Sequence, residues 1–436
     1  MDYAYRYRAY PDKTGVTPIV ERQRDIHRQA YNYTKYEYEN CKQEPAVGSA
    51  YNHQDRLPGW KDEFPVFSDV HSKALQKTVE RFYKNLSNLK DKKEKGYKVG
   101  ALKWKSPRDY QSFTYSQSGF ELKNTSGQDT DATLWLSKIG DIPIEYHRPI
   151  PDHATIKEVT VKQETTGEWY VSFSLETDDE NLPDKPPADE LEADDCVGID
   201  LGVLNYVHTS DGIAVEGLEL EGEYERLRKA QRVQSRREKG SNNWEKARKR
   251  VANVKRRIRR KVLDYQHKLS TWLVREYDAV FVEDLDVKPM LEDSYNARNK
   301  QDAAWARFIR LLEYKADLYG AHVEAVEPAG TTKECSECGV ETDKPLWVRE
   351  HSCPSCGFTL DRDWNASLNV LERGFGLLGE RLGLGQSEVE RLKETGAAAG
   401  AIERERVLAS AVNEAGSLRE SNGSPTLNEA SNAVAE

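Results

Sequence analysis

The chain has 436 residues, a formal net charge of −10 and 37 % hydrophobic residues, enough for two or three domains, each with its own core. It has no run of about 18 apolar residues, and Met1-Asp2-Tyr3-Ala4-Tyr5-Arg6 lacks the apolar centre of a secretion signal, so no membrane span and a cytoplasmic location are expected. The negative average argues against a phosphate-bearing partner, but it hides segregation: 178–195 holds nine acids and one lysine, whereas 226–261 holds 17 Lys/Arg and two acids.

Residues 3–10 alternate Tyr with Arg and Ala as a strand does, and Pro11 ends it. Helical spacing over Thr17–Tyr38 carries Ile19, Ile26, Ala30 and Tyr33. A second helix follows Ser68-Asp69, which is expected to cap it, with Leu75, Val79, Phe82 and Leu86 as its apolar stripe. Lys90 to Lys98 is a short basic run that could touch nucleic acid but reads better as a solvated loop. From Ser112 to Thr177 six short β segments alternate with turn residues, which predicts a small barrel that the first strand closes, with the helices inserted between. The acidic, Pro-containing stretch 178–195 reads as an interdomain linker.

Beyond it, Cys196-Val-Gly-Ile-Asp200 is an apolar strand delivering one carboxylate between Gly198 and Gly202, glycines that leave room for close approach of backbone or phosphate. Asp211-Gly212 marks a hairpin. A basic helical region over about 220–275, broken near Gly240-Ser241-Asn242-Asn243, predicts two antiparallel helices. Two acids are too few to pair with its bases, so the block reads as an electrostatic footprint for phosphate; the acidic remainder points to a high-salt cytoplasm. Ala279 to Leu285 is a second acid-ended strand, 302–319 a helix with Trp305, Phe308, Ile309, Leu312, Ala316 and Tyr319 on one face, and His322–Val326 a strand. Asp361-Arg-Asp363-Trp-Asn365 opens a last helix to about Leu371. The order β-β-β-α-β-α-β-α fits a ribonuclease H-like α/β fold, and 376–436 reads as a flexible acidic tail with a weak helix at Ser387–Glu394.

Two Cys-x-x-Cys pairs, Cys335/Cys338 and Cys353/Cys356, have the spacing of a four-thiolate zinc ribbon over about 331–360, with Gly339 and Gly357 for the knuckle turns. Four thiolates close the tetrahedron, so the zinc is expected to be structural; an iron–sulfur site fits this spacing less well. Cys41 and Cys196 have no partner at useful spacing and read as structural. Among the acids, Asp200, Glu283 and Asp363 end strands or begin a helix, with Asp284, Asp286 and Asp361 as close alternatives. Acidic oxygens of this kind can hold two divalent ions about 3.5–4 Å apart, the arrangement that hydrolyses phosphodiesters, with Mg2+ the suited ion and Mn2+ its substitute.

Four stretches in this order resemble the OrfB/TnpB proteins of insertion sequences, relatives of the type V CRISPR effectors: Gly198-Ile-Asp200-Leu-Gly202, Val282-Glu283-Asp284-Leu285, Thr331-Thr-Lys-Glu-Cys335-Ser-Glu-Cys338-Gly339 and Asp361-Arg-Asp363-Trp-Asn365-Ala-Ser-Leu-Asn369. The resemblance covers about residues 1–375; Ser367 in place of the usual alanine and the acidic tail depart from it. It implies that Asp200, Glu283 and Asp363 are RuvC-type metal-binding acids, in preference to Asp284 and Asp361. It also implies that 1–177 is a wedge barrel with an inserted recognition region (about 16–95), and that 196–375 is the nuclease domain. The implied activity is transposon-encoded, RNA-guided cleavage of double-stranded target DNA, with a guide RNA from the element's end. Arg228, Arg232, Arg236, Arg256, Arg257, Arg259 and Arg260 would then contact RNA or heteroduplex, and Tyr5, Arg6, Tyr7 and Arg8 would either grip nucleic acid or pack the barrel. The competing readings are a non-catalytic regulator of transposition and a strand-transferring transposase.

Overall fold

Alternation along Asp2–Ala9 (β1) turns Tyr5, Tyr7 and Ala9 inward and leaves Arg6 outside, the period of two that a strand imposes. The computed structural model describes residues 1–41, 47–125, 131–187, 190–285, 304–345, 347–383, 389–390 and 405–407. They divide into two units, Met1–Asp179 and the chain from Glu180 onward.

In the first unit, β1 leads to α1 (Thr17–Asn40), the short helices α2 (Ala50–Gln54) and α3 (Leu57–Glu63), and α4 (Ser72–Glu94). Pro18 opens α1, where its missing N–H costs nothing. The expected cap at Ser68-Asp69 is not made. Asp69 lies in a 3-10 turn, its carboxylate takes Arg22 at 2.5 Å and its carbonyl takes Gln23 at 2.7 Å, so α4 starts at Ser72 without a side-chain cap. Leu75, Val79 and Phe82 are buried as the stripe requires, Leu86 only in part. Lys90–Lys98 is exposed, its first half inside α4.

Six further strands follow: β2 (Ser112–Ser116), β3 (Phe120–Lys123), β4 (Asp131–Leu136), β5 (Gly140–Glu145), β6 (Thr155–Gln163) and β7 (Trp169–Glu176). With β1 they form one antiparallel sheet in the order β2-β6-β7-β1-β5-β4-β3. The first strand therefore does not close the barrel but lies at its centre, paired with β7 along all eight residues. Closure comes from elsewhere. β2 and β3 are the two edges of the sheet, yet only residues 117–119 separate them, so the sheet must curl until its edges nearly meet. Tyr7, Phe113, Tyr115, Leu134, Ile144, Val171 and Phe173 fill the interior.

In the second unit, β8 (Cys196–Asp200), β9 (Asn205–Thr209), β10 (Ile213–Glu216), α5 (Glu221–Ser235), α6 (Asn242–Glu276), β11 (Ala279–Glu283), α7 (Trp305–Tyr319) and β12 (His322–Val326) precede the cysteine region, where β13 (Glu350–Ser352) pairs with β14 (Thr359–Asp361). The helix α8 (Arg362–Leu382) follows. The main sheet runs β12-β11-β8-β9-β10, with β8, β11 and β12 parallel to one another and β9 antiparallel to both β8 and β10. All five residues of β8, β9 and β11 are buried, and the parallel strands β8 and β11 read accordingly as apolar runs that end in an acid. A Cβ on Gly198 would lie 2.3 Å from the Ser367 carbonyl and 2.4 Å from the Leu371 nitrogen. The glycine thus admits the backbone of α8 onto β8, not a phosphate.

Three boundaries differ from expectation. The helix α8 continues past Leu371 to Leu382, because Phe375 and Leu378 prolong its apolar face against Phe281 and Leu191, and Gly383 at φ +71° ends it. The acidic stretch before β8 is not a free tether: Leu191 and Ala193 are core residues, Lys185 pairs with Asp317 at 2.9 Å, and His322 Nε2 lies 2.9 Å from the Pro186 carbonyl. Within the expected tail, Glu405–Val407 (β15) pairs in parallel with β10; the weak helix at Ser387–Glu394 falls almost wholly outside the described residues.

Candidate functional site

The cysteines form two knuckles. Gly339 N–H donates to the Cys335 carbonyl at 2.8 Å and Gly357 N–H to that of Cys353 at 3.1 Å, each glycine at positive φ. All four Sγ atoms lie within 4.8 Å of one another, with Cys335–Cys356 at 3.7 Å and Cys338–Cys353 at 3.5 Å. A tetrahedron with metal–sulfur bonds of ~2.3 Å has edges of about 3.8 Å, so these sulfurs suit zinc without rearrangement. Backbone N–H groups of Cys356 and Ser355 aimed at Cys353 hold its thiol down at about 6, whereas burial raises Cys335. Against a backbone N–H from Phe358, desolvation and the neighbouring sulfurs push Cys356 up to about 12, so the metal itself must complete the set of thiolates.

The acids come from three separate segments. Asp200 ends β8 and Glu283 ends β11, strands that pair in parallel and so deliver both carboxylates at one end of the sheet. Asp363 sits in the first turn of α8, which Trp364 pins to the β9–β10 hairpin through Nε1–H to the Ser210 carbonyl at 2.9 Å. The three side chains belong to residues only 7 %, 6 % and 6 % exposed, so each carboxylate is held away from water. Burial first, then the charges of Glu283 and Asp363, push Asp200 well above the usual carboxylate range, against the pull of Arg362 and Arg349. Burial also raises Glu283, opposed by a hydrogen bond from Thr331 and by Arg373. The structure thus brings the three acids into electrostatic reach of one another. Among the described residues, the four cysteines alone place three or more ligating atoms within 4.8 Å; at the acids, Arg349 donates to Asp363 and Arg362 Nε lies 3.8 Å from it. Three buried carboxylates are hard oxygen donors of the kind that hold Mg2+.

Of the alternatives, Asp361 caps α8, accepting from the Asp363 and Trp364 amides at 3.0 and 3.4 Å. Asp284 is exposed, and Asp286 lies outside the described residues. Thr331, Arg349 and Arg373 were not singled out from sequence. Arg373 falls eight residues after Asn365 and four after Asn369, a helical spacing that marks one face of α8.

The basic helices α5 and α6 pack along each other over Leu220, Ile258 and Val262. Their charges are partly paired, contrary to the count of two acids, because Glu221 and Glu223 stand just upstream of the counted window. Glu223 takes Arg257 and Lys261 at 2.9 Å and Arg226 at 3.2 Å, and Glu221 takes Arg228 at 2.6 Å. Arg232, Arg236, Arg259 and Arg260 are exposed and Arg256 is half-buried. On the first strand the roles divide: Tyr5 and Tyr7 pack the barrel, while Arg6 and Arg8 lie over the Tyr170 ring at 4.0 and 5.2 Å and pair with Glu164 and Glu168.

Two family profiles match the chain, one described as "Probable transposase" over residues 172–293 and one as "Cas12f1-like, TNB domain" over 305–370. A protein of Streptomyces pristinaespiralis named "Putative RNA-guided DNA endonuclease" is 36 % identical over 73 % of this chain and 76 % of its own length. The Escherichia coli K12 protein named "Putative RNA-guided DNA endonuclease InsQ" is 29 % identical over 74 % of this chain and 80 % of its own. Among solved structures, the Cas12f1 protein of a Cas12f1–sgRNA–target DNA complex superposes with a TM-score of 0.53 at 15 % identity, covering 82 % of both chains, a likeness of fold.

Proposed function

The chain belongs to the OrfB/TnpB family of insertion-sequence proteins, and from that premise we propose that it is an RNA-guided DNA endonuclease that hydrolyses phosphodiesters with a divalent metal. The second unit is then a ribonuclease H-like, RuvC-type nuclease domain carrying a structural zinc ribbon, and the near-barrel of the first unit is the wedge. Asp200, Glu283 and Asp363 would hold Mg2+. Bound there, it supplies an activated water and neutralises the oxyanion that develops on the leaving group.

The observation that carries this reading is the convergence of three buried carboxylates from β8, β11 and α8, where burial first and then the charges of Glu283 and Asp363 raise Asp200. Stability alone gives no reason to bury three like charges together; clustered, perturbed acids are a mark of function. The two parallel strands bring Asp200 and Glu283 to the same end of the sheet, and the first turn of α8 brings Asp363 within electrostatic reach of Asp200. Exposed arginines of α5 and α6 would hold the backbone of a guide RNA supplied by the transposon end, while base pairing selects the double-stranded target DNA.

Expression with the flanking element, followed by sequencing of copurified RNA and cleavage assays on matching duplex DNA, tests the whole reading. Asp200→Ala is expected to abolish Mg2+-dependent cutting and to leave RNA binding intact. A variant that cuts normally would overturn the assignment of the acids.

A further inference from the structure

Thr331 lies in the loop between β12 and the first cysteine knuckle, and it is almost fully buried. Its hydroxyl donates to Glu283 Oε1 at 2.5 Å and sits 3.1 Å from the Pro328 carbonyl. The loop is held along one face of α8. Asn365 Nδ2 donates to the Glu334 carbonyl at 2.7 Å, and its Oδ1 accepts from the Ser336 amide at 3.0 Å. Asn369 Nδ2 donates to the carbonyls of Thr331 and Glu334, both at 2.8 Å. Arg373 donates to the carbonyls of Glu327 and Ala329 at 2.5 and 2.9 Å and to the Glu334 carboxylate at 2.6 Å. Gly330 makes the turn: φ is +90°, and a Cβ there would come 2.6 Å from Glu334 Oε1.

We propose that Thr331 is a positioning residue for Glu283, and that the Asn365–Asn369–Arg373 face of α8 fixes Thr331 in place for that purpose. The inference rests on Glu283 being a metal ligand, as proposed above. A glutamate side chain has three rotatable bonds, and a carboxylate free to turn must lose that freedom when it ligates. A buried hydroxyl bonded to Oε1 fixes the carboxylate in advance and leaves Oε2 for a cation, the service that outer-shell donors give to ligands. The same helix presents Asp363 in its first turn and, through the loop, orients Glu283. Two of the three acids thus take their geometry from α8, and the loop between them continues into Cys335 only four residues after Thr331.

Calorimetric titration of the zinc-loaded full-length protein with Mn2+ tests this, with Asp200→Ala reporting binding at sites other than the acids. Thr331→Val is expected to weaken Mn2+ binding ~10- to 100-fold with zinc content unchanged, and Thr331→Ser to restore it. Wild-type affinity in Thr331→Val overturns the proposal, as does a serine variant as weak as the valine one. If Thr331→Val loses zinc or cooperative unfolding, Asn369→Ala decides, since it keeps the hydroxyl and releases the Thr331 carbonyl; unchanged affinity there overturns the proposal. A wild-type protein whose Mn2+ binding is indifferent to Asp200→Ala sinks the metal assignment itself, and this inference with it.

Discussion

Asp200 is buried beside two other carboxylates, and that environment makes its charge a liability to the fold. Its folded-state proton affinity is raised above the unfolded value of about 3.9. The stability it contributes is therefore fully present below that pH and is lost as pH rises through the folded value. Asp200→Asn escapes the loss. Thermal melts of zinc-loaded protein in buffer without Mg2+ or Mn2+ are expected to show Asp200→Asn melting above wild type at pH 7–8, by about 2–4 °C for each kcal/mol relieved. The gap should close as pH falls toward about 4. Equal melting points across that range would show that the three charges do not strain one another. The acids themselves were legible, since an apolar strand ending in a carboxylate is a local pattern. The groups that hold them were not. Thr331 reaches Glu283 across 48 positions and Arg349 reaches Asp363 across 14, and such pairs follow from tertiary packing alone.

At the scale of elements, the zinc ribbon was the most legible feature, because its chemistry lies in spacing within 22 residues and its turns need glycine at two positions. Elemental analysis is expected to find about one zinc per chain, and Cys353→Ser to reduce it severely; full zinc retention in that variant would mean that the metal does not sit on four sulfurs. The end of α8 was less legible. Gly374, Gly376 and Gly379 look like helix breakers in sequence, but Gly374 lies where a Cβ would strike the Phe281 ring, and packing keeps the helix going. For α5 and α6, Glu221 and Glu223 engage Arg226, Arg228 and Arg257, although these side chains are exposed as Arg232 and Arg236 are. Replacing exposed Arg232 and Arg236 by Ala should weaken RNA binding and flatten the dependence of log affinity on log salt by up to about 1.4 for the pair on single-stranded RNA. An unchanged slope would place the RNA elsewhere.

The whole chain carries −10, yet 17 of its 64 Lys/Arg crowd into residues 226–261 with two acids, so net charge alone misjudges its partners. The barrel topology was only half visible, because a strand's neighbours depend on closure: β1 reads as a terminal strand and lies at the centre, and only the three-residue link between β2 and β3 betrays the seam. Likewise the acidic stretch before β8 resembles a tether in composition, but Leu191 and Ala193 bury it. Limited proteolysis with a Glu-specific protease is expected to cut after Glu180 well before Glu192, which neighbours both buried residues; the reverse order would mean that this segment is not docked. The packing of α8 on β8 through Gly198 has a consequence for synthesis. Every strand of the first sheet has left the ribosome soon after residue 176, so that unit can fold early. β8 emerges next but lacks its covering helix until residue 382 is made. At about 5–20 residues per second, its apolar surface waits on the order of ten to forty seconds. That interval, rather than the finished fold, is when this protein most needs a chaperone, and a ribosome that stalls between β11 and α8 would release a chain with a bare sheet.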